Sequence, residues 1–165
     1  MLSRAIYRSR QFFTSLRPRV DPEQRDQAYM VLGSAERQLF ESMTLRDQQH
    51  CLDVYRHLRE MHADRDLLIA ALLHDCGKGQ IALWHRVVYV LLDASAPSVL
   101  RSIATPGPGN SWRQALYRCV HHPELGAQAA QQAGSTARVV QLIRGERTNE
   151  SSEQLAALQA ADDVV

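Results

Sequence analysis

The stretch LLIAALLHDCGKG is apolar for most of its length and then places a histidine and an aspartate side by side, His74 and Asp75, just ahead of two glycines. Left unpartnered inside a core, two such groups would cost roughly 1–3 kcal/mol or more apiece. Protein, water or a metal ion has to satisfy them. His50 poses the same problem one element earlier. It stands in register with Val54, Leu58 and Met61 at spacings of four, four and three, which points its side chain along an apolar helix edge. Near the C-terminus Asp162 and Asp163 interrupt the apolar face of LAALQAADD. A lone histidine of this kind is ordinarily a hydrogen-bonded core residue. A histidine, a His-Asp pair and a distant aspartate on three antiparallel helices, however, can converge on one point inside a bundle. Imidazole and carboxylate together suit Mn, Fe, Co, Ni or Zn and leave room for water on the ion.

The elements that must position these groups read as helices. Helical periodicity recurs along the chain and strand-like alternation is nearly absent, so the expected fold class is all-α. A first helix is closed by Pro18 and Pro22; DPEQRDQAYMVLG follows, with Asp21 as N-cap, Pro22 at the first helical position and Gly33 at its end. SAERQLFESM is a short third helix. In TLRDQQHCLDVYRHLREMHA the residues Leu52, Val54, Tyr55, Leu58 and Met61 trace one apolar stripe, and DRDLLIAALLHDC is the next helix, stopped by Gly77 and Gly79. IALWHRVVYVLLDA reads as a buried helix, and SAPSVLRSIA as a shorter one leading into the loop TPGPGNS. Three further helices follow in WRQALYRCVHH, in PELGAQAAQQAG, begun by Pro123 and stopped by Gly134, and in STARVVQLIRGE, capped by Ser135. A capping serine opens the last, SSEQLAALQAADDVV.

A chain of 165 residues, 45% of them hydrophobic, fits one domain with a real core. The expectation is one structural unit, with N-terminal helices in residues 1–45 packing on a core built by 46–165. A formal net charge of +1 gives no overall field that would favour nucleic acid as a partner. The three cysteines, Cys51, Cys76 and Cys119, lack CxxC spacing and an even count, so they read as buried thiols of a reducing, cytoplasmic compartment. No apolar run reaches the roughly 18–20 residues that span a bilayer, so no transmembrane segment is expected. The first twenty residues carry Arg4, Arg8, Arg10, Arg17 and Arg19 and no acid. That pattern fits a transit peptide, a helix on a membrane surface, or a first helix whose Ile6, Phe13 and Leu16 pack on the domain.

Taken in order, RDQQHCLDVYRHL, LLIAALLHDCGKG, HHPELGA, VVQLIRG and LAALQAADD resemble the HD superfamily of metal-dependent phosphohydrolases, over roughly residues 46 to 163. The resemblance implies a single-domain helical bundle of the HD-domain type. It implies His50, His74, Asp75 and Asp162 as ligands of one divalent ion, among Mn, Fe, Co, Ni, Mg and Zn, with Asp163 competing for the last place. Members with two metals add histidines in HHPELGA and in a segment of the form LIxxH. His122, with His121 beside it, stands at the first, and Glu146 in LIRGERT stands where the second histidine is expected. Glutamate replaces imidazole poorly on a softer ion, so a single-metal centre is the expectation. Lys78, which follows the pair in HDCGK, and His85 and Arg86 in LWHRVV are the candidates for a substrate phosphate; a core histidine and a surface cation are the plain alternatives for the last two. His57 and His62 receive no role.

The activity so implied is hydrolysis of a phosphoester by metal-activated water, with Asp75 and Lys78 as the catalytic pair and a small phosphorylated molecule, a nucleotide or a relative of one, as substrate. The alternatives are a catalytically silent HD-type regulatory or ligand-binding module, which Glu146 favours, and a helical interaction domain without metal.

Overall fold

The computed structural model describes residues 20–107, 109, 111–148 and 151–165. The arginine-rich segment, with Ile6, Phe13 and Leu16, lies outside the described residues. Among those described there is no strand. The helices are α1 (Pro22–Tyr29), α2 (Ser34–Glu41), α3 (Leu45–Glu60), α4 (Arg65–Leu73), α5 (Leu83–Ser95), α6 (Pro97–Ile103), α7 (Trp112–Gln132), α8 (Ala137–Arg144) and α9 (Ser152–Val164), with a single 3₁₀ turn at Cys76–Lys78 between α4 and α5.

Local chemistry sets most of the starts. The side chains of Asp21, Thr44, Asp64, Ser111 and Thr136 each accept a hydrogen bond from a backbone amide in the first turn of α1, α3, α4, α7 and α8. Such a cap contributes about 0.5–2 kcal/mol. The main core gathers Leu52, Val54 and Leu58 of α3, all of α4 from Leu67 to Leu73, Val139 and Leu142 of α8 and Leu155 and Leu158 of α9, and Phe40 and Met43 reach it from the α2 end. Helix α4, apolar all round, is enclosed by α3, α8, α9 and α2, which is where such a helix has to lie. A smaller cluster, Leu100, Ala104 and Leu116 with Val88 and Leu92, joins α5 and α6 to the first half of α7.

Several boundaries differ from the sequence reading. The segment through Pro123 does not start a helix: α7 is continuous from Trp112 to Gln132 with Pro123 inside it. Thr136, not Ser135, caps α8. Ser151 precedes α9 without capping it, because its hydroxyl is bonded to Thr148 and to the Glu146 carbonyl. Met61 leaves the stripe of α3, being 62% exposed at the residue where the helix ends. Helix α5 is half-covered and not buried, since α6 and α7 pack on one face only and leave Trp84, Val87, Val90 and Leu91 exposed.

A close backbone approach fixes where the chain goes after α4. A Cβ on Gly77 would stand 2.1 Å from the His122 carbonyl oxygen and 2.6 Å from the Gly126 amide nitrogen. The 3₁₀ turn is therefore seated directly on the backbone of α7, and Gly126 answers with its own missing side chain, 3.3 Å from Cys76 Sγ and from the Gly77 nitrogen. Glycine inside a helix ordinarily costs about 1 kcal/mol against alanine; here it admits the contact. Gly77→Ala is expected to cost about 1–3 kcal/mol by overpacking, seen as a melting temperature lower by roughly 3–10 °C in calorimetry for a chain of this size. An unchanged melting temperature would mean that the two backbones part easily.

Candidate metal centre

Helix α4 stops because the 3₁₀ turn takes over, and the stop leaves His74 at the C-cap and Asp75 on the first bend. His50 lies on α3, a helix packed along α4, and Asp162 on the last turn of α9, which packs on both. Two consecutive helices thus meet one far away in sequence. His50 Nε2 is 2.7 Å from Asp162 Oδ1, and His74 Nε2 is 3.5 Å from both Asp162 Oδ1 and Asp75 Oδ1. Ligand atoms of His50, His74 and Asp162 all lie within 4.8 Å of one another, a spacing that can hold a metal ion. The rings of His50 and His74 meet edge to face at 5.4 Å. Both neighbouring C-terminal aspartates are exposed, but it is Asp162 that pairs with His50, and Asp163 lies roughly 100° further round the helix.

His74 tests whether the residues suit a metal. Its Nδ1 lies 2.9 Å from the Ala71 carbonyl oxygen. A carbonyl only accepts, so Nδ1 carries a proton, and in the neutral ring a metal requires Nε2 carries the lone pair. That Nε2 is buried and has no hydrogen-bond partner. A bare imidazole nitrogen held between two carboxylates, with its other nitrogen fixed by a backbone oxygen, is how histidine ligands are commonly presented to metals.

Asp75 is 2% exposed and divides its two oxygens. Oδ1 faces His74 and also His122, whose Nε2 is 3.8 Å away; Oδ2 receives Lys78 Nζ at 2.6 Å. Burial opposes its charge, but Lys78 and the imidazoles of His74, His50 and His122 outweigh that and hold the carboxyl well below the usual carboxylate range. Burial likewise opposes the charge of Asp162, and His50 and His74 lower its pKa. Lys78 is raised, its own burial being outweighed by Asp75. Burial disfavours the charged form of His74 too, yet the surrounding groups, Asp75 and Asp162 among them, bring it well above the ordinary histidine value. His122 is shifted the other way, by burial and by Lys78, and stays neutral near pH 7.

The remaining candidates lie apart. His121 is exposed and stacks on Tyr117 at 4.4 Å. Glu146 is exposed and paired with Arg144 at 2.9 Å. His121, His122 and Glu146 are therefore not brought together. Arg86 Nη2 is 2.5 Å from Asp47 Oδ2, joining α5 to the first turn of α3, and Asp47 is only 2% exposed. His85 is buried against Trp84, the ring centroids 3.7 Å apart. Sequence reasoning passed over Asp47, which at N3 of a helix capped by Thr44 reads as a surface acid, and Cys51, whose Sγ lies 3.8 Å from His74 Nδ1. The one signal for the seat of the centre was Gly126 inside a helical pattern.

Two expectations follow. Truncating Arg86 to alanine takes the 2.5 Å ion-pair partner from a buried carboxylate that keeps the Thr44 hydroxyl, and chemical denaturation should read a loss of about 3 kcal/mol; a loss below about 1 kcal/mol would make Arg86 free to serve a ligand. For His74, a pKa raised by folding contributes stability that is complete below the unfolded value near 6.5 and is lost as pH climbs through the folded value. A metal needs the neutral ring, so its affinity rises over that same interval. Melting curves from pH 6 to 9 should show the metal-free protein weakening with pH while stabilisation by added divalent ion grows. Stabilisation that does not vary with pH would place His74 outside the ligand set.

No curated protein and no solved structure matches the chain. A family model does: residues 48–98 match the HD domain. The match takes in His50, His74, Asp75 and Lys78, and its last helix is α5 with the start of α6. Over residues 48–98 the chain is therefore similar to the HD domain, consistent with the HD superfamily of metal-dependent phosphohydrolases.

Proposed function

We propose that the protein hydrolyses a phosphoester of a small molecule, a nucleotide or a close relative, with one divalent ion held by His50, His74, Asp75 and Asp162. The observation that carries this reading is the buried, unpartnered Nε2 of His74 set between the carboxylates of Asp75 and Asp162, with His50 completing the group. An ion so placed would lower the pKa of a bound water from near 16 towards roughly 7 and draw charge from a phosphoryl oxygen.

The chain's own groups have separate tasks. Asp75 turns Oδ1 towards the centre and is kept ionised by Lys78 on Oδ2, so it can accept a hydrogen bond from the attacking water and orient it. Lys78, charged and beside Asp75, offsets the negative charge that builds on the phosphoryl group and the departing oxygen. His122, neutral and with Nε2 facing Asp75, can hold a proton at that atom or serve as a further ligand. A groove of about 440 Å³ by the start of α3, lined by Arg46, Gln48, Gln80 and Arg86, is of a size to receive a small phosphorylated molecule. The compartment that fits three free, buried cysteines is the cytoplasm.

A catalytically silent regulatory module is the second reading, and it is favoured by Glu146, which pairs with Arg144 where two-metal members place a histidine. Protein purified without chelator, beside His74→Ala and Asp75→Asn, separates the two. About one ion per wild-type chain by mass spectrometry, its loss in His74→Ala, and phosphate release from a nucleotide panel that falls to background in both variants is the expected result. Metal without turnover on any phosphoester supports the regulatory module. No metal in the wild type overturns both.

A further inference from the structure

Two imidazoles at the centre are oriented by the same bond, although the helices that carry them differ. His74 Nδ1 lies 2.9 Å from the Ala71 oxygen and His122 Nδ1 2.9 Å from the Cys119 oxygen. In each case the acceptor is the carbonyl three residues back, and in each case Nδ1 must be the donor. In their neutral forms both rings therefore present a bare Nε2, His74 at 3.5 Å from Asp75 Oδ1 and His122 at 3.8 Å from the same atom.

Within an α-helix that carbonyl is normally taken, because the oxygen three residues before a histidine belongs to the amide of the residue after it. Helix α4 frees the Ala71 oxygen by ending: its last backbone bond runs from His74 N to Ala70 O, and Ala71 supplies one of the orphaned terminal carbonyls. Helix α7 does not end there. It runs nine residues beyond Pro123, to Gln132. The residue whose amide would claim the Cys119 oxygen is Pro123, and proline has no amide hydrogen to give. Proline is the least favourable residue inside a helix. The backbone at this place is also held by the 3₁₀ turn, since Gly77 abuts the His122 carbonyl.

We propose that Pro123 is a positioning residue of the centre: inside a continuous helix it reserves the Cys119 carbonyl for His122 and so keeps that ring's Nε2 bare and turned towards Asp75. Proton placement on His122 stands on this geometry alone, and its use by a metal or a reacting proton rests on the function proposed above. An alanine at 123 restores an amide that competes for the oxygen. His122 is then released to rotate or to carry its proton on Nε2, where it can no longer act as ligand or acceptor.

The experiment uses the full chain with ¹⁵N-labelled histidine, wild type and Pro123→Ala, with His122→Gln to assign the signal. Two-bond nitrogen–proton correlations read the tautomer without added metal, calorimetric titration with Mn²⁺ reads affinity, and a melting curve reads the helix. Expected are an Nδ1–H tautomer for His122 in the wild type, a mixture with Nε2–H in Pro123→Ala, a melting temperature at or above the wild-type value, and a Mn²⁺ dissociation constant about tenfold higher. An Nε2–H tautomer in the wild type overturns the proposal. So does a tautomer and an affinity unchanged in the variant, whatever its melting temperature, which would make Pro123 a packing residue. A tautomer change with no Mn²⁺ binding by either protein supports the positioning role and overturns the hydrolase reading instead.

Discussion

A carboxylate almost wholly removed from water is the constraint from which the rest of this structure follows. Asp75 can remain charged at 2% exposure only because Lys78 occupies one of its oxygens and imidazoles face the other. An ion pair in that position contributes little net stability, because desolvation offsets most of the attraction. Its effect is geometric. With Lys78 fixed on Oδ2, Oδ1 has one direction left, and that direction is shared by His74 and His122. Removing any partner leaves a charge with nowhere to go, which ties the ionisation of the site to the integrity of the turn that carries it.

That turn is seated on α7 by close backbone contact as well as by side chains such as Cys76, whose Sγ reaches the Gly126 carbonyl. Gly77 and Gly126 bring the 3₁₀ segment against α7 so closely that a single methyl group would collide. The contact does two things at once. It carries the chain away from α4 immediately after His74, which ends the helix and frees the carbonyl that orients that ring, and it sets the height of His122 relative to Asp75. Packing and chemistry are coupled there through atoms every residue possesses, so composition gives little hint of it. The pair Asp47–Arg86 braces the neighbouring side, linking α5 to the first turn of the helix that bears His50.

Much of this was legible in the chain. A capping aspartate places α1, helical periodicity places α3 and α4, and the intrusion of His50, His74, Asp75 and the terminal aspartates into apolar faces marks residues that need partners. What misled the reading was local too. Pro123 is by propensity a helix start, and the segment before it looked complete; in the fold α7 passes through it, because the bond proline removes is made instead by His122. Helix α5 looked buried because its pattern is apolar on every side, yet only one side is covered by α6 and α7. Periodicity reports which faces are apolar; it does not report which faces are occupied.

The sequence by itself determined the helical class, the start of α1 at Asp21 and the polar groups that had to be satisfied, because these depend on residues within a turn or two of each other. Tertiary structure alone decided which groups meet. His50 and Asp162 are 112 positions apart and stand 2.7 Å from each other, and the choice between Asp162 and Asp163 is a choice of about 100° around a helix axis, set by how α9 lies on α3 and α4. Glu146, where the resemblance led one to expect a second-metal histidine, is paired with Arg144, because the side chain follows the nearest charge and not the register of a motif. Local rules fix the direction of a side chain relative to its own helix; only the packing of helices against one another fixes what stands opposite.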